Sequence, residues 1–105
     1  MSALNFLTAR FVQGDVHAVS AVVVRALVDE CGVRRPLRPL DADAMALRLS
    51  EDLRLDSLDQ VLLAVAIEDE LKVEISDGAL AEARTIGDLI ATACAALSSR
   101  QKEVA

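Results

Sequence analysis

The sequence predicts an all-α fold: a four-helix bundle with a short third helix and a long loop between helices one and two. Three observations predict it. Apolar residues recur at helical spacing in three long stretches, capping residues stand where helices would begin, and no run alternates convincingly at period two. A chain of 105 residues is one domain with aliphatic content for one modest core. Phe6 and Phe11 are its only aromatic residues, so Leu, Val, Ile and Ala fill the interior.

Taken in order, residues 1–14 read as an extension ahead of the bundle. Leu4, Leu7 and Phe11 have helical spacing, which allows a short amphipathic helix, with a disordered tail as the competing reading. Gly14 is expected to break such a helix and Asp15 to cap the next. The first bundle helix is predicted over 16–31. Val16, Val19, Val23, Ala26, Leu27 and Glu30 follow its period, Val22, Val24 and Val28 widen the stripe, and Gly32 stops it. His17, the single histidine, is expected to face solvent.

Pro36 and Pro39 break the connection over 33–48, and Arg34, Arg35 and Arg38 make a solvated basic cluster in it. Asp41-Ala42-Asp43 lacks the glycine and later ligands of a calcium loop, so no metal site is expected. A helical turn is expected over 44–49, with Leu49 and Leu53 packing inward. The second helix is predicted over 57–71, with Leu63, Ile67 and Leu71 entering the core. A second stripe of Leu58, Leu62 and Val65 flanks Ser57. A short helix follows over 77–83. Thr85-x-x-Asp88 then caps a last helix whose Ile86, Leu89, Ile90, Ala93, Cys94 and Leu97 keep a clean period. The domain is thus set at 15–98, with a mobile tail over 99–105.

Net charge is −6, and it is unevenly spread. Residues 51–88 hold eleven acids against Arg54, Lys72 and Arg84, a balance of −8; residues 1–50 hold five acids and six arginines, a balance of +1. Acidity concentrated around Ser57 argues against nucleic-acid binding and favours docking on basic surfaces; a solvated acidic face kept for solubility is the competing reading. No apolar run approaches the roughly 18 residues a membrane span needs. The run 16–24 lacks a basic leader, so no signal peptide is expected. Cys31 and Cys94 are a lone, widely spaced pair, and buried thiols in a reducing cytoplasm are expected over a disulfide.

The most informative stretch is Glu51-Asp52-Leu53-Arg54-Leu55-Asp56-Ser57-Leu58-Asp59. Asp56 is a good N-cap, and Asp59, at the third helical position, completes a reciprocal capping arrangement. Ser57 then falls on the first helical residue, at the positive end of the helix dipole, where a phosphate ester on its hydroxyl is favoured. A well-capped helix that happens to begin with serine is the competing reading.

Asp52-Leu53-x-x-Asp56-Ser57-Leu58-Asp59 resembles the attachment motif of acyl carrier proteins, whose pattern is Asp-Leu-Gly-x-Asp-Ser-Leu. Val61-Leu62-Leu63 and Ile67-Glu68-Asp69-Glu70-Leu71 resemble that family's second helix. Glu74-Ile75, Asp77 and Thr85-Ile86-Gly87-Asp88 resemble its short third helix and the start of its last. The resemblance is clear over 49–97 and looser back to Val19. Arg54 stands where the family usually has glycine, and Leu62 where many members carry an acid.

The resemblance implies a non-catalytic carrier of acyl-carrier type. A phosphopantetheinyl transferase would attach 4′-phosphopantetheine to Ser57, and the arm would hold acyl intermediates as thioesters in fatty-acid, specialised lipid or polyketide-type biosynthesis. Asp56 and Leu58 would flank the cofactor. Asp59, Val61, Leu62, Val65, Asp69 and Glu74 would form the docking face for acyl-loading, acyltransferase or ketosynthase enzymes with basic patches. A serine nucleophile is not favoured, because no glycine elbow surrounds Ser57 and the one histidine is distant in sequence. A monomer is expected. The alternative is an unmodified helical interaction module that binds through the apolar and acidic face of helix two.

Overall fold

The computed structural model describes the backbone of residues 2–37 and 40–104, and the side chains of 16–37 and 40–98. Five helices follow in order: α1 (Ser2–Asp29), α2 (Ala42–Met45), α3 (Ser57–Leu71), α4 (Asp77–Glu82) and α5 (Ile86–Val104). The architecture is all-α, as expected, with a short helix ahead of the last long one. Among the described residues the only extended pairing is an isolated antiparallel bridge between Arg48 and Thr85.

α1 lies against both α3 and α5, while α2 and α4 pack on α5. Val19, Val23, Leu27, Leu63, Ile67, Ile86, Leu89 and Ala93 meet where these helices converge, each fully buried. These are the positions that helical periodicity turns to one side of each helix. The interior is therefore aliphatic. At the edges of the predicted stripes, Val16, Val28 and Glu30 face solvent instead, because α1 buries a narrower arc than its run of valines allows. His17 is exposed, as its position predicts.

Three local expectations are corrected. The break expected at Gly14 does not occur, and α1 runs unbroken from Ser2 to Asp29. An interior glycine costs a helix only about 1 kcal/mol relative to alanine and keeps its N–H. Asp15 therefore lies inside a helix and does not cap one; the side chains of Leu4, Leu7 and Phe11 lie outside the described residues. At the other end α5 continues to Val104, since no Gly or Pro interrupts 98–104. The helical turn in the long connection lies at Ala42–Met45, earlier than expected, because Asp41 caps it by accepting from the Ala44 N–H at 2.9 Å.

The rest of the connection is pinned to the core. Leu37, Leu49 and Leu55 are buried and Leu53 is half-buried. The Leu49 N–H donates to the Arg84 carbonyl at 2.8 Å, and the Ile86 N–H donates to the Leu47 carbonyl at 3.0 Å. Gly87 allows α5 to approach α2 closely, since a Cβ there would sit 3.2 Å from the Met45 carbonyl oxygen. The reversal after α1 uses Gly32 at φ +69°, as its place at the end of the apolar stripe predicts. Arg34 and Arg35 are exposed; Arg38 lies outside the described residues.

Candidate functional site

The loop before α3 is shaped by short-range bonds of its own acids. The Asp52 carboxylate accepts from the Arg48 N–H at 2.8 Å, while the Asp52 and Leu53 N–H groups both donate to the Arg48 carbonyl at 3.0 Å. The Arg48 guanidinium reaches Glu51 at 2.7 Å. This closed turn delivers the chain to Arg54, which adopts φ +60° in the left-handed region. Glycine enters that region freely and other residues do not. Arg54, which stands where the resembled motif has glycine, therefore holds a conformation that glycine enters without strain. Leu55 then drops into the core, its N–H donating to the Leu49 carbonyl at 3.0 Å.

Two residues later α3 begins with the reciprocal capping that its sequence predicts. The Asp56 carboxylate accepts from the Asp59 N–H at 2.8 Å, and the Asp59 carboxylate accepts from the Asp56 N–H at 3.1 Å. Ser57 is the first helical residue and is exposed. The N–H groups of Ser57 and Leu58 precede the first intrahelical bonds and carry the positive end of the α3 dipole. An anion esterified to Ser57 Oγ would meet that dipole from the open side.

α3 then shows two apolar faces. Leu63, Ala64 and Ile67 are buried, and Leu71 packs partly buried against the same core. On the other side Leu58, Val61, Leu62 and Val65 remain 65%, 49%, 41% and 53% exposed, in a stripe that starts beside Ser57. No described segment covers it. Asp69 lies one turn beyond Val65 on the same side, and Glu74 is exposed in the following loop. Asp59 is half-buried and committed to the cap. Glu68 is structural: its carboxylate accepts from the Ile75 N–H at 2.8 Å. The groove between α1 and α3 is crossed by an ion pair between Arg25 and Glu70.

Cys31 is the neighbour that sequence reasoning missed. Its thiol donates to the Asp59 carbonyl at 3.5 Å. Burial pushes the thiol up to about 11, with the charges of Asp59, Glu30 and Asp56 adding to the effect. Nothing in the spacing from Cys31 to Asp59 signals that contact. Among the described residues no group of His, Cys, Asp or Glu side chains could hold a metal ion, and no helix is long and apolar enough to cross a membrane.

With this geometry in place, comparison with known proteins assigns the fold. Residues 21–93 match the family described as phosphopantetheine attachment site. The chain belongs to that family. The match takes in α2, α3 and α4 with the end of α1 and the start of α5, so the exposed serine and the helix that presents it lie within the family's domain. The carrier domain is also 43% identical over 54 residues to a protein named acyl carrier protein 3 from Ralstonia nicotianae. That match covers 51% of this chain and 62% of the relative, so the chain spans less than two thirds of the relative's length. The family's prosthetic group, 4′-phosphopantetheine, is the cofactor of this carrier domain. The residues around α3 fit it: an accessible hydroxyl, a helix N-terminus for the phosphate, and an open apolar surface for the arm to cross.

Proposed function

We propose that the chain carries acyl groups on a 4′-phosphopantetheine arm esterified to Ser57. The observation that carries the proposal is the position of Ser57, exposed on the first residue of α3 between two acids that fix the helix start. In the attachment step, Ser57 Oγ attacks the pantetheine-side phosphorus of coenzyme A. The bond between that phosphorus and the bridging pyrophosphate oxygen breaks, adenosine 3′,5′-bisphosphate leaves, and the hydroxyl proton passes to a base of the transferase. The arm supplies a terminal thiol that takes acyl groups as thioesters.

The chain's own residues then have separable roles. Asp56 and Asp59 hold the helix start and add negative charge beside the serine. Leu58 contacts the root of the arm. Val61, Leu62 and Val65, rimmed by Asp69 and Glu74, form the face on which the phosphopantetheinyl transferase and acyl-loading, acyltransferase or ketosynthase enzymes dock through basic patches. Tethering keeps the cargo at millimolar-range effective concentration, about what a short flexible link provides. The setting is fatty-acid, specialised lipid or polyketide-type biosynthesis in the cytoplasm.

A second reading is favoured by the uncovered stripe alone: an unmodified module that binds partners through α3. Incubation with coenzyme A and a broad-specificity phosphopantetheinyl transferase separates the two. The expected result is a mass increment of one phosphopantetheine that Ser57→Ala abolishes. No increment, or one that survives the substitution, overturns the carrier role of Ser57.

A further inference from the structure

Near the proposed attachment serine, the long connection, α3, the end of α4 and the segment between α4 and α5 line a cleft of about 350 Å³. That volume falls within the range of about 300–1,000 Å³ typical of small-molecule sites. Its lining is unlike the rest of this acidic region. Arg48, Ser50, Glu51, Gln60 and Arg84 contribute beside Leu49 and two alanines, so two arginines and one glutamate line it in a chain of net charge −6. Small-molecule sites are usually mostly apolar, whereas this one offers cations, a hydroxyl and an amide.

The two arginines are not equivalent. Arg48 is already engaged, at 2.7 Å from Glu51 and 3.8 Å from Asp52. The Arg84 side chain has no carboxylate partner among the described residues; the nearby Asp88 carboxylate is taken by the backbone N–H groups of Arg84 and Thr85. Arg84 is also held close to the attachment point. Its carbonyl accepts from the Leu49 N–H, and the Leu49 carbonyl accepts from the Leu55 N–H, two residues before Ser57. On the α3 side Gln60 lies one helical turn after Ser57. The cleft therefore opens within reach of a flexible arm rooted on Ser57.

We propose that this cleft receives the far end of the acyl cargo, and that the cargo class is an acyl chain ending in a carboxylate. Arg84 supplies the charge-assisted, two-pronged contact that planar carboxylates favour, with Gln60 and Ser50 as further hydrogen-bond partners. The proposal rests on Ser57 carrying the arm. An uncharged hydrocarbon tail would gain little in this lining and would leave the guanidinium without an anion. The free thiol form of the arm would leave the cleft open.

The test loads the full chain in two parallel reactions, transferring the acylated arm from succinyl-coenzyme A or from butyryl-coenzyme A to Ser57. The two cargoes have equal carbon counts and differ in the terminal carboxylate. Mass spectrometry first establishes attachment, and two-dimensional NMR then follows the backbone amides of Gln60, Ala83 and Arg84 and the Arg84 Nε signal. The expected result is displacement of these signals in the succinyl form only, with the displacements of the Gln60 and Ala83 amides lost in Arg84→Gln and partly kept in Arg84→Lys. Absence of any mass increment overturns the carrier reading, and this one with it. Attachment with equal displacements for both cargoes overturns the cleft assignment alone, as does a succinyl-specific displacement that survives Arg84→Gln. Displacement already present with the unacylated arm shows that the cleft binds the arm itself, and also overturns the assignment.

Discussion

Leu62 and Leu63 are neighbours of identical chemistry with opposite fates. Leu63 is 0% exposed at the junction of α1, α3 and α5, while Leu62 is 41% exposed in the apolar stripe that begins at Leu58. The same contrast separates Ile67 from Val65. Hydrophobic content alone does not say which face of α3 builds the protein and which meets other molecules. Position relative to the neighbouring helices does. One face stabilises the bundle, and the other is apolar surface left over after the bundle is complete.

The comparison can be broken by substitution, beginning with the largest expected effect. Leu63→Ala is expected to destabilise the fold by about 2–5 kcal/mol, the range for removing a buried leucine, with the loss read from urea denaturation. A loss under about 1 kcal/mol would mean that this face is not the core, since well-packed leucines cost more. Next comes the cap. Asp56→Ala is expected to cost about 1 kcal/mol, whereas Asp56→Asn, which retains an accepting oxygen, costs only a few tenths. Both variants are expected to be loaded more slowly by the transferase, because both lose the carboxylate beside Ser57. Equal loading of wild type and Asp56→Asn would assign Asp56 to structure alone.

A smaller effect, of opposite sign, is expected in the loop. Arg54→Gly relieves a left-handed residue that costs about 1–2 kcal/mol, but gives back about 0.5–1 kcal/mol in chain entropy. The net expectation is a stabilisation of about 0.5 kcal/mol, visible as a rise in Tm of a few degrees. A fall in Tm would mean that the Arg54 side chain makes a contact that outweighs its backbone strain. The smallest change in stability belongs to the partner-facing leucine. Leu62→Glu is expected to stay within about 0.5 kcal/mol of wild type, as exposed sites do. Its effect should appear in partner binding, which would become more sensitive to salt. Strong destabilisation by Leu62→Glu would show the stripe to be covered in solution.

These predictions follow the division between what was legible in the sequence and what was not. The starts of α3 and α5 were legible because their signals are local. Asp56 with Asp59, and Thr85 with Asp88, close their reciprocal bonds within three residues, the second pair at 3.0 and 3.3 Å. The periodic faces of α3 and α5 were legible for the same reason. Gly14 misled, because a glycine signals a break only where the chain actually turns, as Gly32 does at φ +69°. What could not be read joins distant segments. Cys31 meets Asp59 across 28 positions, Leu49 meets Arg84 across 35, and no spacing rule connects them. The role of Asp52 was hidden differently. It sits in the motif but closes a turn with Arg48, so part of the motif holds the loop in place and does not itself present the serine.

The account stands most directly on which atom takes the arm. Trypsin cleaves after Arg54 and Lys72, releasing residues 55–72, a peptide in which Ser57 is the only hydroxyl-bearing side chain. After loading with coenzyme A and a transferase, the phosphopantetheine increment is expected on that peptide and nowhere else. An increment on the adjacent peptide that carries Ser50, or an unmodified 55–72 peptide in a fully loaded sample, would contradict it.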